Sequence, residues 1–136
     1  MTPTAEQIAL ILDPERKLFW KHTESTWKED EWSMYGKKYE HIKKLDPPVY
    51  TGPDFPADDA ACFQELAPIF MQLGCRIEMD ADWTSVNGPR RDTETKDLIC
   101  ITEEKTFALA TCAALAWASE NMPEELRSAR EVSACI

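Results

Sequence analysis

The amino-acid sequence predicts an α+β fold, a compact α/β/α-type sandwich whose core is a helix, antiparallel strands and a helix, with further helical segments at both ends. Three observations lead to this prediction. Residues 57–74 carry apolar side chains at helical spacing, residues 75–82 alternate between apolar and polar, and residues 102–120 are alanine-rich and apolar. A chain of 136 residues is long enough for one hydrophobic core, so we expect a single fold with appended segments.

The first core helix is predicted from ADDAACFQELAPIFMQLG (57–74). Acidic residues stand near its start, where the helix dipole favours them, and Gly74 can adopt the left-handed conformation that ends a helix. Because Pro68 lacks a backbone donor, we expect the helix to bend or pause near its middle.

Two or three strands follow this helix. Strict alternation in CRIEMDAD (75–82) predicts a half-buried strand, which WTSV (83–86) continues or pairs with. Residues 87–95 open with an Asn-Gly pair and predict a polar turn. DLICIT (97–102) is apolar on both sides, as expected of a strand with neighbours on two faces.

The segment TEEKTFALATCAALAWASE (102–120) predicts the last core helix. Thr102 is the expected N-cap, and Glu103 and Glu104 would occupy a first turn that the dipole favours. Small alanine side chains let a helix approach a sheet closely, so we expect this helix to be the central packing element. Leucine in place of Ala113 or Ala114 would overpack it.

The proline-rich segment LDPPVYTGPDFP (45–56) cannot form regular structure and marks a connection. We therefore expect an N-terminal helical and aromatic extension packed on the core (1–46), a central domain (47–120) and a C-terminal helical tail (121–136). In the extension, Trp32, Tyr35, Tyr39 and Ile42 lie at helical spacing and predict a helix over 28–45. Shorter helices are expected at 4–12 and 123–136.

The net charge of −10 is unevenly distributed. Residues 1–50 hold 8 Lys and Arg against 9 Asp and Glu, whereas residues 51–136 hold 7 against 16. An acidic surface repels phosphate backbones, so the second part is not expected to bind duplex nucleic acid directly. It predicts instead a partner with a basic surface.

The cysteine pattern indicates a reducing compartment, and the hydropathy pattern bears on membrane association. Five cysteines, an odd number, are widely spaced among apolar residues, which is typical of reduced core thiols. Apolar runs are shorter than a membrane span and the N-terminal segment lacks the basic start of an export signal, so we expect no membrane association.

No catalytic or metal-ligating constellation is predicted, and no cofactor is implied. His22 and His41 lack paired ligand spacing, and the cysteines have no adjacent histidine that would activate a thiolate. Glu78, Asp80 and Asp82 would form an acidic strip on one strand face, either solvated or facing a partner. Arg90 and Arg91 form a basic pair in the predicted turn, as a solubilising tip or a contact for an acidic group.

Residues 47–120 resemble the phage ABA sandwich domain family. The resemblance lies in a Pro-Pro-x-Tyr-Thr entry, an aromatic residue in the first helix, a tryptophan in the hairpin and the sequence Ala-Thr-Cys-Ala-Ala-Leu (110–115) in the last helix, which is similar to the family's rough Ala-x-Cys-x-Ala-Ala-Leu. The matching positions are Pro47, Pro48, Tyr50, Thr51, Phe63, Trp83, Cys112, Ala113, Ala114 and Leu115. The resemblance implies a phage or prophage origin and a layered α/β fold, and it brings no settled catalytic residues.

Two hypotheses of function follow. The first is a non-enzymatic phage or prophage accessory protein in the host bacterial cytoplasm that binds a host protein, for instance to inhibit a defence system, through Glu78, Asp80, Asp82, Arg90 and Arg91. The alternative is a sponge for a nucleotide-type signalling molecule, which a homo-oligomer would enclose. Its candidate ligand-binding residues are Arg76, Arg90, Arg91, Trp32 and Tyr35.

Overall fold

The structure is a computed structural model that describes residues 2–22, 24–33, 36–45 and 47–134, with the side chains of 24–45 left undescribed. The chain forms two compact units. The larger unit consists of residues 1–15 and 53–136, and the smaller consists of residues 16–52.

Within its described residues, the larger unit combines five helices with one sheet. Its elements are α1 (Ala5–Leu12), a 3-10 turn (Phe55–Ala57), α2 (Asp59–Glu65), α3 (Ala67–Leu73), β5 (Arg76–Met79), β6 (Thr84–Arg91), β7 (Leu98–Glu104), α4 (Phe107–Asn121) and α5 (Pro123–Ala134). The smaller unit holds β1 (Trp20–Lys21), β2 (Glu24–Ser33), β3 (Gly36–Leu45) and β4 (Val49–Tyr50). The α+β class is confirmed.

The core of the larger unit is organised around α4. The sheet is antiparallel with the strand order β5-β6-β7, and α4 packs against β6 and β7. Helices α1, α2 and α5 pack against α4 as well, and α3 packs against α5. Side chains that are fully buried include those of Ile8, Phe55, Leu66, Phe70, Val86, Ala110, Ala114 and Leu115. One small-residue helix thus contacts the sheet and helices α1, α2 and α5.

The predicted first helix is divided in two at Pro68. Helix α2 ends at Glu65, and α3 begins at Ala67 with the proline in its first turn, where a missing N–H costs no hydrogen bond. Gly74 ends α3 with φ at 83°, a left-handed conformation that favours glycine. The expected pause and the expected stop are both confirmed.

Helix α4 begins four residues later than predicted, because β7 runs through Glu104. Thr106 is the N-cap and accepts a hydrogen bond from the Leu109 N–H. Thr102 lies in β7 opposite Val86, and its hydroxyl donates to the carbonyl of Ala110 at 2.9 Å. Glu103 and Glu104 are therefore strand residues, and the prediction that they open the helix was wrong.

The turn between β6 and β7 lies at 92–97 and not at the Asn-Gly pair. Asn87 and Gly88 belong to β6, where Gly88 has φ at 95°, a conformation that favours glycine, and a side chain there would press on Leu98 and the Gly74 carbonyl. The turn is organised by Asp92, whose carboxylate accepts from the backbone N–H groups of Glu94 and Thr95. These bonds, led by the one from Thr95, lower the pKa of Asp92. An aspartate turn has therefore displaced the stronger-looking Asn-Gly signal.

The predicted helix over 28–45 was wrong, because β2 and β3 form an antiparallel hairpin there. Aromatic and β-branched residues favour strands, and Gly36, which opposes Ser33 in the ladder, disfavours a helix. Register shifts between Ser25 and Trp27 and between Glu29 and Trp32 interrupt the alternation. The two-residue period was therefore obscured in the sequence.

The second sheet of the smaller unit pairs β1 with β4. Trp20 lies opposite Tyr50, and their rings meet edge to face with centroids 5.1 Å apart. Arg16 lies over the Trp20 ring at 5.9 Å. Tyr50, which belongs to the Pro-Pro-x-Tyr-Thr entry, thus packs β4 against β1 in this unit.

We expect Ala114→Leu to destabilise the larger unit by about 1–3 kcal/mol, because Ala114 is fully buried and α4 has no room for three more carbons. Ala113→Leu is the matched control, since Ala113 is half-buried and a larger side chain there can extend towards solvent. Urea unfolding of both variants gives the difference in free energy. Equal costs at the two positions would contradict the central placement of Ala114.

Candidate functional site

The predicted acidic strip is not a straight row. Glu78 lies in β5 opposite Ser85, but β5 ends at Met79, and the N–H of Asp80 donates to the carbonyl of Trp83 in a tight turn. The Asp80 carboxylate accepts from the Ala81 N–H within the same turn. Because β5 ends at Met79 and the chain reverses at 80–83, Asp80 and Asp82 lie in the turn and not on the strand. The strip was therefore wrongly predicted, although all three carboxylates are exposed.

Four of the candidate or neighbouring charged residues meet in a polar depression of about 290 Å³ on the sheet. It is lined by Arg76, Glu78, Asn87, Arg91, Asp97 and Leu98. The Arg76 guanidinium lies 3.8 Å from the Glu78 carboxylate, and Arg91 donates to the carbonyl of Lys96. Two arginines are thus balanced by two carboxylates, so the depression has no net positive charge for a phosphate.

Arg90 faces a different surface, with its guanidinium over the Trp117 ring of α4 at 5.8 Å. The predicted Arg90–Arg91 pair is therefore split, and neither residue is at the tip of a turn. Trp32 lies in β2 of the smaller unit, and Tyr35 falls outside the described residues. The nucleotide-sponge hypothesis stays a prediction, and in the described residues only Arg76 and Arg91 of its candidate set come together.

A second concave surface in the larger unit was not predicted. A groove of about 660 Å³ runs between α3 and α5 beside β6. Its lining residues are Gln72, Leu73, Pro89, Met122, Glu124, Glu125, Ser128, Ala129 and Val132. We name this surface the α3–α5 groove. The helical spacing of Leu126 and Ala129 signals a buried face of α5, but the sequence does not indicate that α3 is its partner.

The α3–α5 groove has an apolar floor and an acidic edge. Met122 and Ala129 are buried beneath it, while Val132 remains 45% exposed. Glu124 and Glu125 are exposed in the first turn of α5, where the helix dipole stabilises their negative charge. Glu124 also pairs with Arg127 at 2.9 Å, so an exposed arginine balances one of the two carboxylates at the edge.

Two anchors hold α5 in the position that forms the groove. Arg130 donates a hydrogen bond from its guanidinium to the carbonyl of Ile11, which ties α5 to α1. Leu126 is buried on the same helix, and the N–H of Leu126 donates to the carbonyl of Met122. The groove is therefore a fixed feature between packed helices.

The cysteines divide into buried and exposed thiols. Cys62 and Cys112 are fully buried, as predicted for core thiols, but Cys100 is exposed on β7. Desolvation, and after it the charges of Glu103 and Glu78, raise the pKa of Cys100. Burial raises the pKa of Cys75 to about 11. Within the described part of the chain, no three His, Cys, Asp or Glu side chains are close enough to hold a metal ion.

Comparison with models of known protein families, with curated proteins and with solved structures gives no match. The resemblance to the phage ABA sandwich domain family stays a prediction. In the ranges that the structure describes, no helix has the length and apolar character needed to cross a membrane.

Among the four cysteines that the structure describes, we expect alkylation of the native protein at mildly alkaline pH to modify Cys100 first, Cys75 slowly, and Cys62 and Cys112 last. Cys100 is exposed, which favours its reaction although its pKa is raised too; Cys75 is half-buried, and burial raises its pKa to about 11 and leaves little reactive thiolate there. Peptide mass spectrometry after timed iodoacetamide treatment measures the order. Modification of Cys62 or Cys112 as fast as Cys100 would contradict the burial of the pair.

Proposed function

We propose that this protein is a phage or prophage accessory protein that acts in the host bacterial cytoplasm, without catalysis, by binding a host protein. The single observation that carries the proposal is the α3–α5 groove, an apolar surface with an acidic edge. The phage origin rests on the resemblance of residues 47–120 and on nothing else. Inhibition of a host defence protein is the biological role that fits such an accessory protein.

The floor of the groove supports contact with apolar side chains. Its volume of about 660 Å³ lies in the range of pockets that enclose several side chains or a small ligand. Val132 and Leu73 present apolar carbon there, and burying this area against a partner is favourable. A groove between helices suits an amphipathic helical segment, whose apolar residues recur every three or four positions.

The charge around the groove selects the partner. Residues 51–136 carry a net charge of −9, since 7 basic residues oppose 16 acidic ones. Glu124 and Glu125 concentrate part of this charge at the groove edge. A segment with lysine or arginine beside its apolar residues would be attracted, and acidic segments would be repelled. The proposed occupant is therefore a basic amphipathic helix of a host protein.

We expect a fluorescent helical peptide of lysine and leucine to bind the protein, and a glutamate and leucine peptide of the same spacing not to bind. Exchange of both Glu124 and Glu125 for lysine should weaken binding about tenfold or more, which corresponds to about 1.4 kcal/mol. Val132→Asp should weaken it through the groove floor. Fluorescence anisotropy at low and at high salt measures these affinities.

The matched control exchanges Glu103 and Glu104 for lysine, which changes the net charge equally but at β7. Its affinity should stay near that of the unchanged protein. Equal losses in the two double variants would show that the peptide responds to overall charge, and would sink the groove assignment. With host lysate, the supporting outcome is a protein retained by the unchanged chain and by the β7 variant but not by the groove variant.

We expect no binding of double-stranded RNA or DNA at about 150 mM salt. Duplex binders gain affinity by neutralising phosphates, whereas residues 51–136 are strongly acidic. The lysine exchange at Glu103 and Glu104 should create weak, sequence-independent affinity. Both side chains lie exposed at the end of β7, where lysines can reach a phosphate backbone. Gel shifts on both proteins measure it, and a micromolar shift by the unchanged chain would overturn this expectation.

A further inference from the structure

Two free thiols face each other in the core of the larger unit. Cys62 of α2 and Cys112 of α4 are fully buried, and their sulfur atoms lie 3.7 Å apart. The Cys62 thiol also donates to the carbonyl of Phe55 at 3.0 Å. The remaining described cysteines, Cys75 and Cys100, lie on or beside the sheet. The close pair is therefore a specific arrangement within the core.

We propose that Cys62 and Cys112 form a reversible disulfide when the protein meets a small hydroperoxide, a modification that joins α2 to α4. The sulfur atoms, 3.7 Å apart, must approach by roughly 1.7 Å to reach the disulfide bond length of about 2.0 Å. The two helices are already packed together, so this approach calls for adjustment of side chains and a small shift of α2. Hydrogen peroxide is small and uncharged, which allows it to enter during local opening of the core.

The chemistry of the pair assigns a role to each sulfur. Hydrogen bonding from Cys112 lowers the pKa of Cys62. The same hydrogen bond, and to a smaller extent burial, raise the pKa of Cys112. The Cys62 thiolate attacks one peroxide oxygen and the O–O bond breaks, which gives a sulfenic acid on Cys62. The departing hydroxide takes up the proton that Cys62 released and becomes water. The Cys112 sulfur then attacks the sulfenic sulfur and expels hydroxide, which takes the Cys112 proton.

These steps balance, because two thiols and one hydrogen peroxide give one disulfide and two waters. The sulfur atoms are oxidised by two electrons, and the peroxide oxygens are reduced by two. Cys62 is the attacking residue since the thiolate is the nucleophile, and Cys112 is the resolving residue because it lies within reach of the Cys62 sulfur. A thiol reductant such as glutathione reverses the bond by exchange.

The consequence of the bond is greater stability of the larger unit. A disulfide between residues 62 and 112 closes a long loop of chain, and cross-links of this kind restrict the unfolded state. It joins the two helices that flank the 3-10 turn at Phe55, where the core is fully buried. We therefore expect the oxidised protein to unfold several degrees above the reduced protein.

The experiment uses the full chain with Cys75, Cys100 and Cys135 exchanged for serine, so that the pair alone can react. After hydrogen peroxide treatment of the folded protein, we expect a loss of mass equal to two hydrogen atoms and a linked peptide pair containing both cysteines. The melting temperature should rise, and it should return after treatment with dithiothreitol. The same measurements on the unchanged chain guard against effects of the serines.

The control variant Cys112→Ala keeps a small residue in α4 and removes the resolving thiol. It should give oxidised Cys62 without any linked peptide and without a rise in melting temperature. Sulfinic acid at Cys62 or two intact thiols in the unchanged chain would overturn the proposal. A disulfide that forms but lowers the melting temperature would overturn the stabilising role.

Discussion

The close approach of α4 to the sheet is the constraint on which the rest of the larger unit depends. Ala110 and Ala114 are fully buried on this helix, and Thr102 of β7 reaches the Ala110 carbonyl through its hydroxyl. Larger side chains at these positions would push the helix away from β6 and β7. From the opposite side, the Asp59 carboxylate of α2 accepts from the Ala108 N–H at the start of α4. One helix therefore sets the distance to both layers.

How much of this could be predicted depends on whether the signal is local. The short helix α1, the proline break between α2 and α3 and the left-handed Gly74 are encoded within a few residues, and each was predicted correctly. The hairpin over 24–45 was missed because two register shifts disturb its alternation. The Asn-Gly pair was misread because Gly88 is needed inside β6, where Leu98 and the Gly74 carbonyl approach it.

Less of the candidate site than of the fold could be predicted from the sequence. A strip of carboxylates on a strand depends on the strand continuing, and the turn at Asp80 removes that condition. The α3–α5 groove depends on two helices that are separated by the whole sheet in sequence. Nothing in the sequence of α5 states where α3 will lie, although the pattern of Leu126 and Ala129 predicts that one face of α5 is covered. Sequence patterns identify faces, while their partners follow from tertiary packing.

The groove and the thiol pair lie at different places along α4 and would affect the stability of the larger unit in different ways. The thiol pair lies where α2 meets α4, in fully buried core, so its chemistry can change stability without changing the surface. The groove lies where α5 leaves the end of α4 at Pro123, so its shape depends on the anchoring of α5 through Arg130 and Leu126. A partner that binds beside Glu124 and Val132 would add contacts to α5, the last helix that the structure describes. Binding at the groove should therefore stabilise the attachment of α5, whereas oxidation should stabilise the joint between α2 and α4.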